Sequence, residues 1–135
     1  MKAFRIAIAL IFIMACAAFA VEREKRTVTA AIDTDGVQRV EVEGGSYYFD
    51  PYRIIVKSGV PVELKARKNT WIPHDIVINA PEAGINVKES LSKEPKIIKF
   101  TPTKTGKYPV YCSKKPPFFK SHRERGMEGV LEVVE

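Results

Sequence analysis

The chain has 135 residues, enough for one domain of ordinary size. Its 22 basic and 16 acidic residues give a formal charge of +6, and setting aside Lys2 and Arg5 of the N-terminal stretch leaves +4. That mild excess suits an acidic partner surface or anionic headgroups; it is not the dense basic stripe of a nucleic-acid binder.

Residues 1–20 read as an export signal. Lys2 and Arg5 form a positive start, Ile6 to Ala15 is an unbroken apolar run, and Ala18-Phe19-Ala20 supplies a small-x-small cleavage pattern. The run is too short for a comfortable membrane span, so no span is expected in the mature chain. Ile13-Met14-Ala15-Cys16 offers a second reading as a lipoprotein box, with Cys16 lipidated. The first reading places the protein in the periplasm or outside the cell; the second makes it a membrane-anchored lipoprotein.

Residues 21–26 are charged and are expected to form a flexible lead-in to a single domain over 27–135. Thr27 to Ile32 and Val37 to Glu43 alternate on either side of Asp33-Thr34-Asp35-Gly36, a hairpin signal. Gly44-Gly45 breaks the chain before Tyr47-Tyr48-Phe49, and Asp50-Pro51 turns into Tyr52 to Lys57. Beyond Ser58-Gly59, Val62, Leu64 and Ala66 face one way while Glu63, Lys65 and Arg67 face the other, as in a half-buried strand. Further strands fit Asp75 to Asn79, Ile97 to Thr101, Lys107 to Tyr111 and Val130 to Val134. Pro81 to Pro95 reads as a loop with one helical turn. No sustained helical stripe runs through the chain beyond the leader. Seven or eight short strands at even spacing predict an all-β fold, a Greek-key β-sandwich or barrel.

Past residue 20 the chain keeps one cysteine, Cys112, one methionine, Met127, and two histidines, His74 and His122. Three of the four fall together as Cys112-x9-His122-x4-Met127. Taken singly, each has an ordinary reading: a buried thiol, a loop histidine, a core methionine and a strand-end histidine. Together, two imidazoles, a thiolate and a thioether are the donor set of a mononuclear type 1 copper site. Zinc would want a fourth good donor; Asp75, Glu124 or Glu128 could serve, but that leaves Met127 without a role. A lone thiol in an oxidising compartment cannot form an intrachain disulfide, and a metal would protect it.

The stretch Gly106-Lys107-Tyr108-Pro109-Val110-Tyr111-Cys112, closing through His122-x4-Met127-x-Gly129-x-Leu131-x-Val133, resembles the C-terminal ligand hairpin of cupredoxins. The resemblance runs from about Tyr47 to Glu135 and implies a small β-sandwich holding one type 1-like copper ion. It implies His74 as the upstream ligand, Pro73 bringing a backbone carbonyl near the metal, and Asp75 bonded to Ser113, the residue after the cysteine. That pair could equally face solvent. It also implies a C-terminal histidine exposed in an apolar patch. Pro116, Pro117, Phe118 and Phe119 would form this patch, ringed by Lys114, Lys115, Lys120, Arg123 and Arg125. The alternative is that Phe118 and Phe119 fold back as a lid.

The function implied is one-electron carriage between larger redox proteins, such as a cytochrome or an oxidase with an acidic docking surface, and no catalysis. Copper delivery and an accessory role in a copper redox enzyme are the rival readings. One feature departs from the family: nine residues separate Cys112 from His122, where small carriers have only a few. Loops nearly this long are similar to those of nitrite-reductase-like proteins. The stretch from His74 to Ile85 is similar to oxidase domains with binuclear copper, but the second cysteine such a site needs is missing.

Overall fold

A computed structural model describes residues 22–135. The export leader and Cys16 lie outside the described residues. Ten strands form two sheets: β1 (Thr27–Thr29), β2 (Gln38–Gly45), β3 (Tyr48–Asp50), β4 (Arg53–Lys57), β5 (Val62–Lys68), β6 (His74–Ala80), β7 (Ile85–Leu91), β8 (Lys96–Phe100), β9 (Gly106–Tyr111) and β10 (Glu128–Val134). One sheet runs β1-β4-β10-β9-β6-β7 and the other β3-β2-β5-β8. The all-β sandwich expected from the strand pattern is present, with more strands than the seven or eight anticipated.

Period-two alternation builds the core. Val40 and Val42 of β2, Val62, Leu64 and Ala66 of β5, and Ile98 of β8 turn inward from one sheet. Ile54, Val56, Ile76, Ile78, Val110, Leu131 and Val133 meet them from the other. The inner faces of two sheets about 10 Å apart interdigitate in this way.

Three expectations are corrected. The turn at residues 33–36 does form, with Gly36 N–H donating to Asp33 O at 2.9 Å and Asp33 N–H to Val37 O at 3.0 Å. The flanking strands part, however: β1 pairs in parallel with β4 while β2 pairs with β3 and β5, and one bridge, Ile32 to Gln38, is all that remains of a hairpin. Gly44 and Gly45 do not break the chain but end β2. The segment expected as a loop holds strand β7, which pairs along its whole length with β6; only residues 81–83 form a helical turn, of the 3-10 type.

Residues 22–26 have no regular secondary structure but lie against the sandwich. The Arg23 guanidinium stacks on Tyr48 at 3.8 Å, Lys25 on Tyr52 at 4.6 Å, and Arg26 pairs with Asp50 at 2.9 Å. Among the described residues no helix is long and apolar enough to cross a membrane.

Candidate metal centre

Strand pairing places the donors. β10 pairs antiparallel with β9 from Glu128 opposite Tyr111, and the Cys112 N–H extends the ladder by donating to Met127 O at 3.2 Å. Cys112 and Met127 therefore face each other across the mouth of a hairpin. β9 touches β6 through Val77 and Tyr111, which brings the start of β6, and with it His74, to the same end.

The long spacer is pinched off at its base. His122 N–H donates to Lys114 O at 2.8 Å, so residues 115–121 bulge outward while His122 returns to the hairpin mouth. A reciprocal cap then fixes the next turn: Ser121 N–H donates to the Glu124 carboxylate at 2.7 Å and Glu124 N–H to Ser121 Oγ at 3.1 Å. This is a capping box, Ser-x-x-Glu, which satisfies two otherwise orphaned donors at the start of a helical turn. Met127 N–H then donates to His122 O at 3.0 Å. The pattern Ser121-His122-Arg123-Glu124 is legible in the sequence and would have announced the ordered turn that carries His122.

His74 Nδ1 and His122 Nδ1 stand 3.1 Å apart, and Cys112 Sγ lies 3.8 Å from the first and 3.5 Å from the second. Donor atoms about 2.0–2.3 Å from a shared ion stand roughly 3–4 Å from one another, so the three atoms already span the right triangle. All three residues are buried, as is Met127. Gly44 makes the room for Met127: a Cβ there would lie 3.2 Å from the Met127 methyl and 3.1 Å from Leu91 Cδ1.

Burial sets the electrostatics of the site. Burial first, then His122 and Lys68, hold the His74 imidazole down to about 4. His122 is also lowered, by burial and then by Arg125. Burial pushes the Cys112 thiol up. The His74 ring turns Nδ1 toward His122 Nδ1 and Cys112 Sγ, while its other nitrogen, Nε2, is buried without a hydrogen-bond partner. Two neutral imidazoles aimed at a thiol are metal ligands by type, the soft thiolate and thioether matching copper better than zinc.

Asp75 is nearly buried and accepts the Ser113 N–H at 2.6 Å on Oδ1 and the Ser113 hydroxyl on Oδ2. Burial pushes its carboxyl up, but the two Ser113 bonds, with Cys112 and Lys114, outweigh that and hold it below the ordinary carboxylate value. The bond ties the residues following His74 and Cys112 together. Pro73 is exposed where the chain approaches β6.

Two expectations about the surface need restating. His122 is 3% exposed, so it is no surface histidine. The phenylalanines form no lid either, since Phe118 is 104% and Phe119 66% exposed. What contacts the imidazoles is Tyr47, edge-on to His122 at 5.1 Å and to His74 at 6.2 Å between ring centroids. Nothing in the sequence pattern marked it. Tyr47 holds φ at +64°, an outlier for a bulky side chain, of the kind that costs about 1–3 kcal/mol and gathers at functional sites.

A β-sandwich closing a buried His, Cys, His and Met set at one end defines the class: a single-site copper-type domain. The comparisons agree. A family model described as a cupredoxin-like domain matches residues 5–126, most of the chain, and the chain belongs to that family. The match stops one residue short of Met127. No curated protein sequence matches.

Among solved structures the chain is similar to the metal-binding domain of the Streptococcus pneumoniae D39 Cu(I)-exporting P-type ATPase CopA. The identity is 20%, over 84% of this chain and 100% of that one, with a TM-score of 0.61. The periplasmic domain of cytochrome oxidase subunit II (CoxB) from Bradyrhizobium japonicum is 16% identical over 72% of this chain and 83% of its own, with a TM-score of 0.56. Reduced auracyanin from Roseiflexus castenholzii is 20% identical over 72% and 97%, with a TM-score of 0.52. At such identities the likeness is one of fold.

Proposed function

We propose that this is an exported mononuclear copper protein that carries single electrons between larger redox proteins, in which His74, Cys112, His122 and Met127 would hold the ion. The observation that carries the reading is the buried triangle of two Nδ1 atoms and one Sγ at 3.1 to 3.8 Å. Bound copper supplies a one-electron couple there. The residues contribute a donor set held by β6, the β9–β10 hairpin and the capped turn, so little need move between oxidation states. The Asp75–Ser113 bond supports this by fixing the backbone beside two ligands. No substrate chemistry is assigned to the chain, and the leader reading places it in the periplasm or outside the cell.

Charge supports a docking face. The loop 113–126 carries Lys114, Lys115, Lys120, Arg123 and Arg125 against one acid, Glu124. That equals the whole +4 excess of the chain past residue 20. With Phe118 and Phe119 exposed in the same loop, this end fits transient docking to a redox protein with an acidic surface, where charge mainly raises the association rate.

The visible and EPR spectra of the copper-loaded protein test the reading. An intense thiolate-to-copper band, absent in Cys112→Ser, is expected. A colourless protein that holds only Cu(I) would overturn it in favour of copper delivery, a reading the closed site and the lack of Met- or His-rich tracts disfavour.

A further inference from the structure

His74, His122, Cys112 and Met127 are each 3% exposed or less, so something must part before an ion or solute reaches them. The geometry singles out what that is. The Tyr47 ring meets both imidazoles edge-on, 5.1 and 6.2 Å away, and is itself only half-buried. The Arg125 guanidinium lies over the same ring at 3.8 Å. The three form a stack from site to surface: imidazoles, phenol ring, exposed cation. We propose that Tyr47 and Arg125 form a hinged closure over the donor set, and that solutes and ions reach the ligands by its opening. The proposal deepens the reading of this site and rests on it only for the identity of the ion; the closure itself belongs to the metal-free chain.

Three features make the closure openable. Its outer half is a cation–π contact to an exposed arginine, the weaker, solvated kind. Its inner half is a pair of edge-on ring contacts from Tyr47, which stands in the tight turn between Gly45 and Tyr48 and can swing out by side-chain rotation alone. Arg125 is followed by Gly126, at φ +104° and with only Tyr47 O within 4 Å of where a Cβ would stand. With no side chain at Gly126 beside it, the Arg125 side chain can lift from the ring while the backbone of the turn stays bonded to Ser121 O and His122 O. The two halves come from distant parts of the chain, the β2–β3 turn and the ligand loop, so each can move while β6 and the hairpin stay paired.

A closed aromatic cover also suits a lone thiol in an oxidising compartment, because oxidation follows access as well as thiolate character. It accounts for the burial of His122 too. Electrons pass a covered imidazole readily over a few ångströms, whereas oxidants and chelators do not.

The decisive measurement is alkylation of Cys112 by iodoacetamide in the metal-free full-length chain, followed by peptide mass so that Cys16 does not interfere. Tyr47→Ala should raise the Cys112 rate by about tenfold or more, the size expected when a local opening replaces a rarer one. Tyr47→Phe keeps the ring and should stay within about twofold of wild type, and Arg125→Gln should fall between. Gln38→Leu, a substitution at the far end of β2, reports the effect of general destabilisation. A Tyr47→Ala rate equal to wild type, or a Gln38→Leu rate that rises as much, overturns the closure.

Should Tyr47→Ala fail to fold, Arg125→Gln carries the test alone, and a wild-type rate there is equally fatal. In the copper-loaded protein, capture of the metal by a chelator should speed up in the same order with the visible spectrum of Arg125→Gln unchanged. If no copper binds, the carrier reading fails, while the alkylation series still decides on the closure.

Discussion

The two ends of strand β2 bury polar groups in opposite ways. At its start, Gln38 is wholly buried and fully engaged: Nε2 donates to Lys57 O at 3.1 Å and to Val60 O at 3.2 Å, and Oε1 accepts Lys57 N–H at 2.6 Å. Six or seven residues on, roughly 20 Å along a strand, Gly44 and Gly45 reach the donor set. There His74 turns its Nδ1 to a second imidazole and a thiol. Gln38 spends its polar atoms on backbone and closes the fold; His74, His122 and Cys112 turn theirs toward one point, as metal donors do. The difference separates a structural from a functional site more sharply than burial does, since both ends are equally buried.

The largest effect should come from loading the donor end with metal. Copper at about a thousandfold above its Kd should stabilise the wild-type chain by about 4 kcal/mol, and His74→Leu should abolish most of that gain while leaving the metal-free chain within about 1 kcal/mol of wild type. Denaturant melts with and without copper check both halves. A large loss of metal-free stability would mean His74 is structural after all. The satisfied end should behave the other way. Gln38→Leu strands the N–H of Lys57 and two carbonyls, and should cost about 2–4 kcal/mol with the copper spectrum unmoved.

How much of this contrast was legible depends on its range along the chain. The donor set was legible because those side chains are scarce, and β5 because Val62, Leu64 and Ala66 alternate with charged neighbours. β7 hid because Glu89 interrupts the inward series Ile85, Val87 and Leu91, and only pairing with β6 restores it. The residues 33–36 form the turn their types demand, yet whether the strands beyond it pair with each other is decided by β4 and β5, which the turn cannot sense. The burial of His122 was equally out of reach, since its cover, Tyr47, lies 75 residues away. The engaged state of Gln38 was hidden for the same reason: its partners are Lys57 at the end of β4 and Val60 in the connection to β5.

A smaller effect refines the ligand end itself. Ser113→Ala removes the hydroxyl that Asp75 holds while keeping the backbone bond, and should cost about 1 kcal/mol, a shift of a few degrees in the thermal midpoint. If the carboxylate orients Cys112 through Ser113, the copper band of this variant should also move slightly. A stability loss with no spectral change would make the pair purely structural, like Gln38.

The last expectation is an effect near zero, and it bears on the nine-residue spacer. Because His122 N–H is fastened to Lys114 O and the capping box begins at Ser121, residues between these points do not set the position of the ligands. Replacing Pro116–Phe119 by two glycines should therefore leave the visible spectrum intact and stability within about 0.5 kcal/mol, the range of a surface change. The same variant should slow electron exchange with an acidic partner if Phe118 and Phe119 are its contact. A displaced copper band would show that the spacer tunes the site, whereas an unmoved band with slower exchange separates the two tasks of one loop: its base holds the ligands and its tip meets the partner.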